Sequence, residues 1–309
     1  MRIFDAHCDV LYKMFKDSSI DFSDSSKLHV NASQLVNAKV QVQCFAIFVS
    51  PSIHPDVSFH ASLYMVDIFF EKILKKNPNM RFISHSKDIN TLKENEVGAI
   101  LTLEGCDAIG RDIVKLKTLL RLGVSSVGLT WNDSNHVADG AMEERAGGLT
   151  RFGMEVLRLL NDTNTWCDVS HLSERGFWDV IEWADHPFAS HSNCYSLCPH
   201  PRNLNDQQIE AIIERNSVMG LTFVPEFLSG HKKATITDVL RHLEHICELG
   251  GENHVGFGSD FDGIDDTVMD LSRAGDYMNL VNELQKYYSE IQVKNFLFDN
   301  MAKRYTKKK

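Results

Sequence analysis

The sequence predicts an α/β protein that folds as a (β/α)8 TIM barrel. Two observations carry this prediction. Short runs rich in β-branched and aromatic residues alternate with longer stretches of helical periodicity, and eight such runs occur in the 309 residues. Alternation of this kind implies parallel βαβ units, and eight of them favour closure of the sheet into a barrel. A doubly wound open sheet is the alternative, but no Gly-x-Gly-x-x-Gly follows the first run.

The predicted strands are short and mostly apolar. In chain order they cover Arg2–Ala6, Val40–Val49, Gly98–Leu103, Ser126–Leu129, Trp166–Val169, Phe188–Ser190, Val218–Thr222 and Val255–Gly258. Because no Gly/Ser-rich or Pro-rich linker divides the chain, we expect residues 1–309 to form one barrel domain. One or two C-terminal helices, from about residue 277, are expected to pack on its outside.

Helical periodicity of apolar residues fills the intervals between the strands. The predicted helices cover Ser58–Lys76, Asp112–Leu122, Gly153–Asn161, Ser173–Ala184, Asp206–Arg215 and Ile236–Leu249. Ser173, Asn205 and Thr235 stand where an N-cap is needed, and Gly250 follows the last helix as a C-terminal stop.

Bulk composition narrows the class of protein. A hydrophobic fraction of 43% and a charged fraction of 24% are ordinary for a soluble globular enzyme. The formal net charge of −10 argues against nucleic acid or an anionic membrane as a partner. No apolar stretch approaches the ~20 residues that a membrane span needs. The basic fringe formed by Arg304 and Lys307–Lys309 is expected to be a solvated tail.

Cysteine usage indicates a reducing compartment. The chain has seven cysteines, an odd number without Cys-x-x-Cys spacing, so a disulfide scaffold is not expected. Cys44, Cys106 and Cys167 lie in or beside apolar runs and are expected to be small core residues. The first residues show no signal-peptide apolar region. These features predict a cytoplasmic protein.

Polar side chains follow most of the predicted strands. His7 and Asp9 end the first, Glu104 the third, His171 the fifth, His191 the sixth and Asp260 the eighth. In an α/β barrel the C-terminal strand ends meet at one rim, where chemistry collects. Any one of these residues alone is better explained as a helix cap or a hydrogen-bonded core residue. Their joint placement predicts a metal site.

The donor set suits Zn²⁺, and also Mn²⁺ or Fe²⁺, because imidazole and carboxylate are the ligands of these ions. Three histidines, one aspartate and one glutamate exceed the three protein ligands that one open catalytic ion needs. Two metal ions sharing a bridging carboxylate would use all five. Glu104 is the natural bridge, because its strand lies between the two groups of histidines.

The motifs together resemble the membrane dipeptidase (renal dipeptidase) family of binuclear zinc peptidases, in the form of a bacterial-type member. They are Asp5-Ala6-His7-Cys8-Asp9, Leu103-Glu104-Gly105, Asp168-Val169-Ser170-His171, Ser190-His191-Ser192, Arg202-Asn203-Leu204 and Gly256-Phe257-Gly258-Ser259-Asp260-Phe261-Asp262-Gly263. The resemblance implies a (β/α)8 barrel that hydrolyses dipeptides, including those with a D-residue at the C-terminal position. It also implies two Zn²⁺ ions, with Mn²⁺ or Co²⁺ as substitutes, and a homodimer.

The resemblance also implies a role for each matching residue. His7 and Asp9 would hold one zinc ion, His171 and His191 the other, and Glu104 would bridge them as a metal ligand and a catalytic residue. Arg202 would bind the substrate carboxylate, for which its planar fork is suited, with His200 shaping the loop that presents it. Asp260 would be the acid–base aspartate.

One position departs from the pattern of the family. Mammalian members have a histidine after the Leu-Thr of the fourth strand, thought to contact the substrate, and this chain has Trp131 there. Indole has one N–H donor and lacks the basicity of imidazole. Trp131 and Asn132 are therefore expected to contact the substrate. Either the metal ions do more of the polarisation of the substrate carbonyl, or Asn132 or His136 takes over the polar contact.

Two alternatives remain open. The first is another amidohydrolase-like metal hydrolase that acts on cyclic amides, lactones or phosphoesters. Many such barrels begin with His-x-His and carry a modified lysine on the fourth strand, whereas this chain has His-x-Asp and no lysine there. The second is a catalytically silent metal-binding barrel. The presence of Arg202 and Asp260 beside all five ligands argues against it.

Overall fold

The computed structural model of the protein describes residues 1–305, and it shows the predicted barrel. The strands are β1 (Ile3–Asp5), β2 (Val40–Phe48), β3 (Met80–Phe82), β4 (Val97–Glu104), β5 (Ser126–Gly128), β6 (Trp166–Asp168), β7 (Pro187–Phe188), β8 (Met219–Leu221) and β9 (Val255–Phe257). All pairings between them are parallel, in the order β7-β6-β5-β4-β2-β1-β9-β8. A parallel bridge between Ala189 and Met219 joins the two ends. The (β/α)8 prediction is confirmed.

One strand lies outside the barrel and was not predicted. β3 pairs only with β4, beside the start of that strand. It has three residues, and Arg81 at its centre is exposed. So short a run with a charged middle residue carries too little periodicity to be recognised in the sequence.

The helices fill the βα connections and extend past the barrel. They are α1 (Val10–Lys16), α2 (Ala32–Asn37), α3 (Pro55–Asp67), α4 (Ser86–Ile89), α5 (Ile113–Arg121), α6 (Arg151–Asp162), α7 (Glu174–Trp183), α8 (Asp206–Glu214), α9 (Pro225–Ser229), α10 (Ile236–Glu248), α11 (Tyr277–Tyr287), α12 (Glu290–Lys294) and α13 (Asn300–Arg304). The predicted Ser58–Lys76 helix begins earlier and changes into a π-helix at Ile68–Leu74.

Helix ends follow the capping chemistry of the sequence. The Ser173 side chain accepts a hydrogen bond from the Gly176 N–H, and Asn205 and Thr235 both form capping boxes. The short helices α1, α2, α4 and α9 were not predicted. Each has seven residues or fewer, which is too short for a 3.6-residue period to stand out.

The C-terminal helices close the bottom of the barrel. Phe298, Met301 and Tyr305 share an apolar cluster with the lumen residues Phe4 and Val42. The expectation of a solvated basic tail is wrong for Arg304, whose guanidinium donates to the Asn216 carbonyl oxygen at 2.9 Å and to the Asn300 carbonyl oxygen at 3.2 Å. Lys307–Lys309, the rest of the fringe, lie outside the described residues.

The alternation of side chains along the strands directs residues at the strand ends toward the inside of the barrel. On β4, Ile100, Thr102 and Glu104 are spaced two residues apart and therefore point to the same face. Ile100 belongs to the apolar cluster of the lumen, so Glu104 at the end of the strand also points inward. The same two-residue spacing on β2 places Val42 and Phe48 on one face of the strand, with Phe48 at the rim of the barrel.

All seven cysteines are unpaired, and Cys44, Cys106 and Cys167 are buried as predicted. No helix within residues 1–305 is long and apolar enough to cross a bilayer.

Candidate metal centre and active site

Glu104 stands between two groups of imidazoles. Its Oε1 lies 3.0 Å from His171 Nε2 and 3.7 Å from His191 Nε2. Its Oε2 lies 3.5 Å from His7 Nε2. The two carboxylate oxygens thus face different histidines, as a bridging ligand requires.

Asp9 completes the group around His7. The Asp9 Oδ2 atom lies 3.2 Å from His7 Nε2, and Asp260 Oδ1 lies 3.8 Å from the same nitrogen. Three triplets have donor atoms within 4.8 Å of one another: His7 with Asp9 and Glu104, Glu104 with His171 and His191, and His7 with His191 and Asp260. Such spacing is compatible with coordination of one or two cations.

Hydrogen bonds at Nδ1 set the orientation of the His171 and His191 rings. His171 Nδ1 lies 2.8 Å from Asn132 Oδ1, and His191 Nδ1 lies 2.6 Å from Ser190 Oγ. The Ser190 hydroxyl donates to the buried Asp168 carboxylate and therefore accepts from His191. Both rings consequently carry their proton on Nδ1 and present an unprotonated Nε2, the form that binds metals.

This arrangement leaves lone pairs facing one another. The Nε2 atoms of His171 and His191 lie 2.8 Å apart, and Glu104 Oε1 lies beside both. No proton remains to be shared among these three atoms, so a cation between them would relieve their repulsion. His7 Nε2 and Asp9 Oδ1 are also buried without a hydrogen-bond partner. These residues fit the metal ions that the sequence predicts.

Burial and neighbouring charges perturb the titration of the cluster. Burial, reinforced by Arg202, lowers the pKa of His171 to about 3, and burial lowers the pKa of His191 well below its usual value. Burial opposes the protonation of His7, but the carboxylates of Glu104 and Asp9 raise its pKa. Burial raises the pKa of Asp260, the direction that suits a carboxyl group that accepts and returns a proton.

Arg202 is held rigidly beside this cluster. It is 3% exposed, and its Nη2 donates to the His191 carbonyl oxygen at 3.3 Å. Its Nε has no hydrogen-bond partner. The Arg202 backbone N–H donates to His200 Nδ1 at 3.1 Å, so His200 does shape this loop. Burial lowers the pKa of Arg202 to about 10, and the residue stays charged at neutral pH.

Two cavities meet at His171. We name the first the arginine cavity, about 470 Å³ in volume; it is lined by Arg202 and by polar residues that include Glu143, Ser173 and Gln208. We name the second the aromatic cavity, about 400 Å³ in volume. Its lining residues include three of the cluster (Asp9, Glu104 and Asp260), other charged residues (Lys13, Lys16, Asp262 and Asp265) and six large apolar or aromatic residues (Tyr12, Phe48, Trp131, Val224, Phe227 and Ile264).

Most of the predicted site residues come together here. His7, Asp9, Glu104, His171, His191 and Asp260 form one cluster, and Arg202 lies within electrostatic reach of Asp260. Trp131 and Asn132 line the aromatic cavity. Asn132 also contacts a ring nitrogen of His171, which makes it a support of the cluster. His136 is exposed and lines neither cavity.

Several residues that support the metal-ligand cluster were not predicted from the sequence. Asp168 and Ser190 each lie within a strand-end motif, and Ser190 stands directly before the candidate ligand His191, which is a signal that the sequence offers. Asp5 is fully buried and accepts from Ser259 through its backbone N–H at 2.9 Å and its hydroxyl at 2.7 Å. This pair fastens the ends of β1 and β9, which carry His7 and Asp260.

The fold and the cluster define a class of protein, an α/β barrel whose C-terminal rim collects imidazole and carboxylate donors around a buried centre. Comparison with known proteins identifies the family. The chain belongs to the membrane dipeptidase family (peptidase family M19), whose family model matches residues 1–307. Membership in this family supports metallo-dipeptidase activity and implies a metal cofactor.

Three relatives illustrate the likeness. An uncharacterized protein in the pqqA 5′ region of Klebsiella pneumoniae is 34% identical over 238 residues, which cover 72% of this chain and 86% of that protein. The crystal structure of the metallopeptidase dipeptidase AC, of family M19, has a TM-score of 0.93 at 25% identity, covering 99% of this chain and 98% of that one. A metallopeptidase from Rhodobacter sphaeroides, liganded with a phosphinate mimic of the dipeptide L-Ala-D-Ala, has a TM-score of 0.92 at 24% identity, with coverage of 99% and 98%.

Proposed function

We propose that this protein is a dipeptidase that works with two bound Zn²⁺ ions and accepts dipeptides with a D-amino acid at the C-terminal position. The observation that carries the proposal is the placement of Glu104, whose two carboxylate oxygens face different histidines at the C-terminal end of the barrel. A single open catalytic ion would leave part of this donor set without use.

In this proposal His7, Asp9 and Glu104 would hold one ion, and Glu104, His171 and His191 would hold the other. The ions supply Lewis acidity toward the scissile carbonyl and lower the pKa of water. Mn²⁺ or Co²⁺ would serve as substitutes, because their ligand preferences overlap with those of Zn²⁺.

The remaining residues bind the substrate and move its protons. Arg202 forms a charge-assisted pair with the C-terminal carboxylate, since its Nε is buried and unpartnered. Asp260 accepts a proton from the attacking water as the new C–O bond forms at the carbonyl carbon. It then donates that proton to the departing amine as the C–N bond breaks.

Two finer points belong to the proposal. Acceptance of a C-terminal D-residue is supported by the ligand of the Rhodobacter sphaeroides enzyme, a mimic of L-Ala-D-Ala. A cytoplasmic location is supported by seven unpaired cysteines, six of them buried. The single barrel domain and the homodimer stay predictions.

The test is hydrolysis of a dipeptide panel by protein reconstituted with zinc, manganese or cobalt. The panel contains L-L and L-D pairs, together with N-acetylated dipeptides, a lactone and a phosphoester as controls. We expect metal-dependent release of free amino acids from dipeptides only. Hydrolysis of the lactone or phosphoester instead, or no hydrolysis with any metal, would overturn the proposal.

A further inference from the structure

Three aromatic rings form a continuous wall on one side of the aromatic cavity. The Tyr12 and Phe48 ring centroids lie 5.2 Å apart in an edge-to-face arrangement, and the Phe48 and Trp131 centroids lie 5.3 Å apart. All three residues are half-buried and line the cavity. They come from α1, the end of β2 and the loop after β5, so three separate elements build this wall. We name it the aromatic wall.

The aromatic wall and Arg202 lie in different cavities that share His171. The carboxylate of a bound dipeptide belongs to its C-terminal residue. If Arg202 binds that carboxylate and the scissile bond lies at the Glu104 cluster, the N-terminal residue extends into the aromatic cavity. This step rests on the proposed function.

The chemistry of the two cavities differs. Arg202 shares its cavity with polar residues such as Glu143 and Gln208 and with aliphatic residues such as Leu172, so polar and apolar groups are mixed there. The aromatic cavity adds Val224, Phe227 and Ile264 to the aromatic wall. Its charged lining residues include Asp260 and Asp265 together with Lys13 and Lys16.

We propose that the aromatic wall selects dipeptides with a large apolar or aromatic N-terminal side chain. The half-buried rings still expose apolar surface to water. An apolar substrate side chain that packs against them removes both their surface and its own surface from contact with water. Aromatic side chains add edge-to-face contacts with the rings of the wall.

The expected selectivity is about tenfold to a hundredfold in kcat/KM for Phe-Ala or Leu-Ala over Gly-Ala, the range expected for burial of one apolar side chain. The mirrored series, Ala-Phe and Ala-Leu against Ala-Gly, is expected to differ by less than about fivefold. The contrast between the two series distinguishes the aromatic wall from a general preference for apolar substrates.

Phe48→Ala tests the centre of the wall, because it removes the ring that contacts both neighbours. We expect the ratio of kcat/KM for Phe-Ala to that for Gly-Ala to fall at least about fivefold. Tyr12→Ala, at one end of the aromatic wall, provides a second variant should Phe48→Ala fold poorly. Tyr287→Ala removes an aromatic ring that is 72% exposed and serves as the matched control.

The outcomes separate this inference from the proposed function. If dipeptides are hydrolysed without preference at the N-terminal position, or if both wall variants keep the preference, the inference is wrong and the proposed dipeptidase stands. If none of the dipeptides is hydrolysed, the proposed function fails and the inference fails with it. A loss of preference in Phe48→Ala or Tyr12→Ala, but not in Tyr287→Ala, supports the inference.

Discussion

Ser190→Ala is the substitution that best probes how the barrel prepares its metal ligands. The Ser190 hydroxyl joins His191 Nδ1, at 2.6 Å, to the buried carboxylate of Asp168. Alanine removes this link and leaves the ring proton of His191 without an acceptor. The ring then has no partner that fixes its rotation or its proton, although its Nε2 remains available.

The contacts that the Ser190 hydroxyl makes determine the expected loss of zinc affinity and of folding stability. Loss of an outer partner of a metal-ligating histidine costs about tenfold to a hundredfold in metal affinity. Each buried polar group left unpaired costs about 1–3 kcal/mol of folding stability. Asp168 keeps two backbone donors, Ser170 N–H at 3.0 Å and Ser190 N–H at 2.9 Å. The larger part of the stability loss is therefore expected from the unpaired His191 side.

The assay is zinc affinity by chelator competition, with urea unfolding of the metal-free protein in parallel. Ser190→Thr keeps the hydroxyl and is expected to retain most of the affinity. Ser125→Ala deletes another buried hydroxyl, which donates to the Leu101 carbonyl oxygen at 3.5 Å near the start of β5. We expect it to affect stability without affecting zinc affinity. Equal zinc affinity in Ser190→Ala and the unaltered protein would show that the Ser190 hydroxyl does not orient His191 for metal binding.

Three further predictions concern turnover, packing and metal removal. Asp260→Asn cannot exchange the proton and is expected to lower kcat by about 10²–10⁴-fold, with unchanged metal content measured by elemental analysis. Gly258→Ala would bring its methyl group onto the Ser190 carbonyl oxygen, and we expect a loss of about 1–3 kcal/mol in urea unfolding. Chelation is expected to lower the melting temperature reversibly, because bound metal stabilises the folded state by about 4 kcal/mol at a thousandfold excess over Kd.

Each of these predictions has a contradicting result. Near-normal kcat in Asp260→Asn would remove that residue from proton transfer. Unchanged urea unfolding in Gly258→Ala would show that the strand ends at β7 and β9 can separate without cost. A melting temperature that does not change on addition of chelator would show that bound metal does not stabilise the folded state.

Strand periodicity made much of the architecture accessible from the sequence. The two-residue alternation that places Ile100 in the lumen also directs Glu104 inward, so a strand-end carboxylate could be recognised without coordinates. The elements that escaped detection are short or irregular. Three residues around Arg81 hold too little pattern to identify β3.

Contacts between distant segments could not be read from the sequence. Arg304 resembles a solvated basic tail until its acceptors, the carbonyls of Asn216 and Asn300, are seen. The Ser190–Asp168 link and the aromatic wall depend on side chains that approach from different strands and helices. Their distances follow from the packing of the whole barrel, which no local pattern encodes.

The number of zinc ions bound per chain tests whether Glu104 bridges two metal ions. Metal-free protein is dialysed against zinc, freed of excess, and measured by elemental analysis, with Glu104→Gln measured beside it. We expect two zinc ions per chain in the unaltered protein and fewer in Glu104→Gln, since one carboxamide oxygen cannot replace two anionic oxygens. One zinc ion per chain in the unaltered protein, or two in Glu104→Gln with unchanged affinity, would show that Glu104 does not bridge two ions.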